Sequence, residues 1–455
     1  MLLGQRFEAF VQKAPISVMV RAVLERAFHS QRIDALFERV AVRQYTRDLL
    51  FSTVVALMSE VVLGISRSLR TAYQQSEEKP SVSITSVYNK VNGVEPAVSA
   101  ALVHDSAAQL GPIIRRLGGT VPALLPGFRV RILDGNHLTG TEHRLQELRT
   151  MRAAALPGQA LVVLDPELGL VVEVVPCEDA HTQERALLGE VLPLVEPGDL
   201  WLGDRNFCTT GFLFGIVARG GFFLIRQHAS TLTWQLVGKR QRCGKTASGL
   251  VYEQAAELSN PATGATLRVR RITVELEKPT RDGETEIHVL TNVPERAADA
   301  LTLSNLYLER WTIEKMFHTL TVALTCEIKT LGYPQAALLG FCLAVVAYNA
   351  VALVQAALRA VHGPEVVEKQ VSWYYVCTHL AKVYEGMMLA VPARHWRTFR
   401  TMEDGAFTAV LRQLATNIDL AKFQKHPRGP KKPRPQRASG AKIKHVATAR
   451  IIAKR

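Results

Sequence analysis

The sequence predicts an α/β domain that carries a β-rich insertion, preceded by an all-helical domain and followed by C-terminal helices and a basic tail. Three observations lead to this expectation. Apolar residues at helical spacing dominate the first part of the chain, strand and helix patterns alternate from about Phe128, and the composition changes sharply at Lys422. The expected regions are 1–122, 123–335 with the insertion at about 228–292, 336–420 and 421–455.

The first region contains a pair of helical patterns joined by a turn. Residues 81–104 place Asn92-Gly93 between two apolar-periodic stretches, and Pro96 opens the second one. This arrangement is typical of a helix-turn-helix DNA reader and equally of an ordinary helical hairpin, so both interpretations stay open.

The second region shows short apolar runs bounded by turn residues. We expect strands at 129–133, 160–164, 169–175, 199–203 and 221–226, with helices near 181–194 and 209–219. The run 228–292 alternates in β fashion around glycine and proline turns, which accounts for the 110 residues that separate Asp204 from Glu314. A β-rich insertion is therefore expected before the next helix.

Two acidic residues each follow an apolar run that predicts a strand. Asp134 follows 128–133, and Asp204 follows 199–203. A carboxylate past a strand end is held by the sheet but opens onto a cleft. Together with a third carboxylate, the pair could hold hard divalent cations, since Mg²⁺ prefers oxygen ligands.

The third carboxylate is expected on a helix over Thr302–Thr325. At about 3.6 residues per turn, Tyr307, Arg310, Glu314 and Thr321 share one face, which His318 joins. Taken alone, Arg310 and Glu314 also fit an ordinary surface ion pair of about 0.2–0.5 kcal/mol.

These motifs resemble those of the DDE transposases of bacterial insertion sequences, in the IS-four group with its Tyr-x2-Arg-x3-Glu-x6-Lys signature. Tyr307, Arg310 and Glu314 match the signature within the run RWTIE. Asp134 in ILDGNHL and Asp204 in GDRNF stand where that family has its two aspartates. The signature lysine is replaced by Thr321. The resemblance covers roughly 128–349 and implies an RNase H-like catalytic domain, which the order of the expected elements also fits.

The resemblance implies a site and a reaction. Asp134, Asp204 and Glu314 would be the catalytic residues and would hold two Mg²⁺ ions, for which Mn²⁺ could substitute. The expected reaction is cleavage of double-stranded DNA at terminal inverted repeats and strand transfer into a target, by a hairpin route and in a homodimer. The residues expected to contact DNA are Tyr307, Arg310, Trp311, Lys315, Lys431, Lys432 and Arg434.

Two other functions stay open at this point. One is an RNase H-like nuclease that cuts without strand transfer, and the other is a catalytically silent DNA-binding regulator. The three intact carboxylates argue against a loss of catalytic activity, whereas Thr321 at the lysine position is evidence that activity has been lost. Trp234 and Trp311 are the candidates for stacking on a flipped base, although either could belong to the core.

Cysteine usage indicates a cytoplasmic protein, and the resemblance implies a bacterial one that associates with the nucleoid when it binds DNA. The net charge is +14, and 421–455 holds 12 Lys and Arg residues with no acid. Its prolines and glycines predict a disordered tail that contacts nucleic acid. Six cysteines without CxxC pairs indicate reduced thiols.

One apolar segment bears on membrane association. Residues 336–358 contain no charged side chain over 23 positions, which is long enough to span a bilayer. The segment includes Asn349 and Gln355 and directly follows the expected catalytic helix. We therefore expect a buried core helix and no membrane partner.

Overall fold

The computed structural model describes residues 5–44, 46, 48–76, 80–138, 154–228, 230–280, 283–322, 324–328, 330–425 and 445–453. Seven helices precede the first strand in this described part: α1 Gln5–Lys13, α2 Pro15–Ala27, α3 Ser30–Val40, α4 Phe51–Val62, α5 Leu69–Gln75, α6 Ile84–Asn92 and α7 Pro96–Leu117. The predicted turn joins α6 to α7. Since α7 packs against a later core helix and a sheet strand, most of its apolar side is occupied within the protein.

The strands are β1 Arg129–Leu138, β2 Ala154–Leu156, β3 Gly158–Asp165, β4 Leu170–Cys177, β5 Asp199–Gly203, β6 Phe222–Arg226, β7 Thr233–Thr246, β8 Gly249–Ser259, β9 Thr266–Leu276, β10 Glu286–Thr291 and β11 His445–Ala447. Nine of them form one mixed sheet in the order β4-β3-β1-β5-β6-β10-β9-β8-β7. β1, β5 and β6 are parallel to one another. The five strands predicted between 129 and 226 are confirmed, and so is the α/β class.

The β-rich insertion continues the main sheet. β10 pairs with β6 in antiparallel fashion, and β9, β8 and β7 follow as an antiparallel meander. The insertion is therefore held to the central strands by backbone hydrogen bonds, which place the end of β9 and the start of β10 beside the carboxyl end of β6.

The remaining helices are α8 Leu188–Val191, α9 Thr210–Ala218, α10 Ala300–Leu308, α11 Thr312–Val322, α12 Pro334–His362, α13 Pro364–Gln370, α14 Trp373–Ala390, α15 Ala393–Trp396, α16 Thr398–Thr401, α17 Asp404–Thr416 and α18 Thr448–Ile452. The prediction of a single helix at 181–194 was wrong. This segment forms three short pieces, Glu184–Leu187, α8 and Leu192–Leu194, because Pro193 has no N–H to continue α8. The helix predicted at 302–325 is α10 and α11 joined by the 3₁₀ turn Glu309–Trp311.

The long apolar helix α12 lies at the centre of the core. Its most apolar 18-residue window is 94% buried within the described protein, although its length and hydropathy would suffice for a membrane span. α12 packs against α2, α4, α7, α17 and β4. Helices from both ends of the chain and one face of the sheet thus share a single hydrophobic core.

Part of the predicted tail has a defined structure. β11 pairs in parallel with β2, and the Arg450 guanidinium donates to the Asp179 carboxylate at 2.7 Å. The expectation of disorder over 421–455 was therefore wrong for 421–425, where Phe423 is buried and Gln424 bridges to Val371. It was also wrong for 445–453, where apolar Val446, Ile451 and Ile452 supply contacts that a purely basic tail lacks. The tail cations assigned to DNA, Lys431, Lys432 and Arg434, lie outside the described residues.

Candidate active site

Asp134 and Asp204 stand two residues beyond the last paired residues of the parallel strands β1 and β5. β1 pairs with β5 from Arg129↔Asp199 to Ile132↔Leu202, a constant offset of 70 residues. Continuing that register by two positions places Asp134 beside Asp204. Neighbouring strands lie about 4.8 Å apart, and residues in one row point to the same face. Asp204 is close enough for its charge to contribute to the raised pKa of Asp134.

The sequence predicted that the strand ends just before Asp134, but Asp134 lies within β1. β1 continues to Leu138, and Asp134 pairs with Val162 of β3. On its other side the parallel pairing with β5 stops at Ile132. The carboxylate is therefore held by one neighbouring strand while the opposite side opens into the space where β1 and β5 separate.

Arg310 connects Asp134 to the helical carboxylate. Its Nη1 lies 3.4 Å from Asp134 Oδ2, and its Nη2 lies 3.4 Å from Glu314 Oε1. Arg310 is largely buried, whereas the Glu314 side chain is half exposed. The structure brings Asp134, Arg310 and Glu314 together, with the guanidinium between the two acids.

Burial and neighbouring acids disfavour the charged form of Asp134. They raise its pKa from an ordinary value of 3.8 to about 6, with desolvation as the largest cause. Arg310 and the Gly135 N–H oppose this rise, while Asp204 and Glu184 add to it. A divalent cation bound here would stabilise the charged form of Asp134, since it would offset the repulsion from the neighbouring acids.

The carboxylates do not converge on one point. Among the described residues, no group of three or more His, Cys, Asp or Glu side chains is arranged to hold a metal ion. The Arg310 guanidinium lies where two of the acids would otherwise share a cation. The carboxylate oxygens are of the kind that Mg²⁺ prefers. In this arrangement the positive charge beside them is that of the Arg310 guanidinium.

The raised pKa predicts that Asp134→Asn stabilises the metal-free protein at neutral pH. A pKa shift of about two units corresponds to about 3 kcal/mol, which is the unfavourable cost that the substitution removes. Above pH 6 the aspartate is charged in both states, so the gain is full. Below pH 4 it is protonated in both states, so the gain vanishes. Urea unfolding of both proteins in EDTA, at several pH values, measures this difference, and equal stability at pH 7.5 would contradict it.

Tyr307 lies inside the site, not on an exposed face. It is buried, burial raises its pKa to about 12, and its hydroxyl hydrogen bonds with Arg310. The charges of Arg226 and Asp204 also act on it. The 3₁₀ turn between α10 and α11 separates Tyr307 from the exposed side of α11, which carries Glu314, His318 and Thr321.

The other expected contact residues differ in their surroundings. Trp311 is 58% exposed and Lys315 is also exposed, so both are accessible to a ligand. Thr321 donates its hydroxyl to the Phe317 carbonyl at 2.7 Å, within its own helix. Trp234 is half-buried on β7, with the Arg271 guanidinium 5.2 Å from its ring centre.

Glu184 is a residue of this site that the sequence analysis missed. Its carboxylate packs against Gly135, where an added Cβ would come within 2.0 Å of Oε1. It also accepts a hydrogen bond from the Asn206 side chain at 3.2 Å, and the Asn206 backbone N–H donates to Asp204 Oδ1 at 2.7 Å, so that Asp204 caps the following turn. Glu184 thus links the segments that carry the two aspartates. A glycine inside a strand pattern, next to Asp134, was the available indication of a close neighbour.

Comparison with known proteins identifies one conserved domain type. Residues 126–350, which include all three carboxylates, match the family described as the transposase DDE domain. Among solved structures, a piggyBac transposase synaptic complex with hairpin DNA is similar at a TM-score of 0.37 and 8% identity, over 85% of this chain and 84% of that one. No curated protein sequence matches the chain.

Proposed function

We propose, from the premise that the chain is a DDE transposase, that it binds the terminal inverted repeats of a bacterial insertion sequence and catalyses both cleavage and strand transfer. One observation carries this proposal. The register of β1 and β5 aligns Asp134 with Asp204, and Arg310 joins Asp134 to Glu314. The register that relates Asp134 to Asp204, and the ion pairs of Arg310 with Asp134 and Glu314, support a site at this edge of the sheet.

Asp134, Asp204 and Glu314 are the residues that would hold Mg²⁺, with Mn²⁺ as a possible substitute. When bound, a pair of such ions activates the attacking oxygen and stabilises the leaving oxygen of an in-line displacement. The protein's own groups bind and orient the DNA. Arg310 and Tyr307 lie against the carboxylates and are suited to hold the phosphate at the cut end. Trp311 and Lys315 are exposed on the same side and add contacts to the strand.

The order of the first five sheet strands, β4-β3-β1-β5-β6, supports an RNase H-like core. Tyr307, Arg310 and Glu314 support membership of the IS-four group, and Thr321 departs from its lysine. We propose a hairpin intermediate and a homodimer in the assembled complex, with the enzyme acting in the cytoplasm on nucleoid DNA.

A strand-transfer assay tests the proposal against its alternatives. Purified protein with Mg²⁺ is mixed with a labelled duplex that ends in the inverted repeat flanking its gene, and with a supercoiled target plasmid. The expected result is joining of the labelled 3′ end to the plasmid, because the freed hydroxyl can attack a second phosphodiester at the same carboxylates.

Two other outcomes separate the alternatives. Cleavage of the labelled duplex without joining would favour a nuclease. Specific binding without cleavage would favour a silent regulator. A duplex with a scrambled terminal sequence is the control for end specificity.

A further inference from the structure

We infer that Arg226 and Arg205 bind a backbone phosphate of the DNA next to Asp204, and that the Glu284 carboxylate occupies the position of this phosphate in the DNA-free protein. The inference rests on the proposed function, because it names a further DNA-binding site at the same edge of the sheet.

The sheet register places Arg226 in the row of the aspartates. β5 pairs with β6 up to Gly203↔Ile225, so the next residues, Asp204 and Arg226, lie side by side. Asp134 lies on the other side of Asp204 by the register of β1 and β5. The charges of Arg226 and Asp204 both act on the buried Tyr307, so the two side chains share the surroundings of this residue. Arg205 directly follows Asp204 and opens the turn Arg205–Phe207.

Both guanidinium groups share a single acid. Glu284 forms an ion pair with Arg226 through Oε2, and its Oε1 lies 3.4 Å from Arg205 Nη1. The hydrogen bond from Arg226 is the main reason that the pKa of Glu284 is lowered. A phosphodiester presents two anionic oxygens to arginine much as this carboxylate does. Two cations beside the aspartates are therefore neutralised by one acid that phosphate can replace.

The position of Glu284 does not depend on these ion pairs. It lies in the turn between β9 and β10, where the Thr280 N–H donates to the Glu284 carbonyl at 2.8 Å and the Glu284 N–H donates to Thr280 Oγ1 at 3.1 Å. These bonds hold the backbone, so the side chain can leave by a rotamer change. All three side chains are partly exposed, and ion pairs between exposed groups stabilise a protein only slightly. DNA can therefore displace the carboxylate at low cost.

The test measures binding of the inverted-repeat duplex in EDTA, so that catalysis is not needed. Glu284→Gln is expected to tighten binding about three- to tenfold, because it frees both arginines. Glu277→Gln is the matched control. Glu277 lies on the same hairpin, but it pairs with Lys245 at 2.6 Å on the far side of the meander. Its loss of one negative charge should change affinity less than twofold.

Arginine variants complete the test. Arg226→Gln should weaken binding and flatten the slope of log K against log salt by about 0.9, the value for one phosphate contact on duplex DNA. Arg226→Lys, which keeps the charge, should keep the slope. In Glu284→Gln/Arg226→Gln the tightening should be largely lost. Thermal unfolding of each variant checks that it is folded.

The outcomes separate this inference from the proposed function. If the wild-type protein does not prefer the inverted repeat to a scrambled end, the proposed function fails. If it does, but Glu284→Gln binds no more tightly than Glu277→Gln or the slope of Arg226→Gln is unchanged, the phosphate site is refuted and Glu284 only braces the hairpin.

Discussion

Replacing Asp134 with Asn, Asp204 with Asn or Glu314 with Gln is expected to lower DNA cleavage by more than about 100-fold each, with end binding little changed. Loss of groups that merely support metal ligands already costs about 10- to 100-fold, so loss of a ligand itself should cost at least as much. Each change keeps the side-chain shape and removes one charge. Cleavage and binding are measured on the same labelled inverted-repeat duplex in Mg²⁺.

Glu309→Gln is the matched control for these variants. Glu309 is an exposed acid on the same 3₁₀ turn as Arg310, and it accepts only a hydrogen bond from Thr312 at 3.4 Å among the described contacts. It should cleave at close to the wild-type rate. A carboxylate variant that cleaves as fast as this control would show that its residue is not a ligand. Partial recovery in Mn²⁺ would support a metal role.

Asn349→Leu is expected to destabilise the protein by about 2–5 kcal/mol, even though it makes α12 more apolar. The fully buried Asn349 amide bonds both backbone groups of Val171 on β4, at 2.8 and 2.9 Å, and donates to Ser106 Oγ at 2.9 Å. Leucine would leave the N–H and carbonyl of Val171 buried without partners, at about 1–3 kcal/mol each. Urea unfolding measures the loss.

Gln355→Leu is the control on the same helix. Gln355 is only half-buried, so this change should shift stability by less than about 1 kcal/mol. Equal stability of Asn349→Leu and the wild type would mean that the β4 backbone finds other partners. The pair of variants also distinguishes a core helix from a membrane span, since a bilayer would tolerate leucine at both positions.

Local patterns were sufficient for the strands and for the acids that follow them. Short apolar runs predicted 129–133 and 199–203, and the offset of 70 residues between them is the register in which β1 and β5 pair. Pairing between strands is a property of distant residues, so the alignment itself could not be read from either run alone.

Contacts between residues that are distant in the sequence could not be predicted. Glu184 and Glu284 look like ordinary polar turn residues, and only the folded chain brings them to Gly135 and Arg226. The continuation of the sheet through β10 was also hidden, because an antiparallel meander has the same local pattern in a separate sheet. The 3₁₀ turn at Glu309–Trp311 contains no proline or glycine, so helical spacing predicted one helix across it.

The shared helical core has a consequence for synthesis on the ribosome. Helices α1–α7 are complete at Leu117, but α12, against which α2, α4 and α7 pack, ends at His362. At about 5–20 residues per second, translation of the roughly 245 residues between them takes about 12–50 s. During that interval the apolar sides of the early helices lack their main partner. The nascent chain therefore exposes this apolar surface until α12 has left the ribosome.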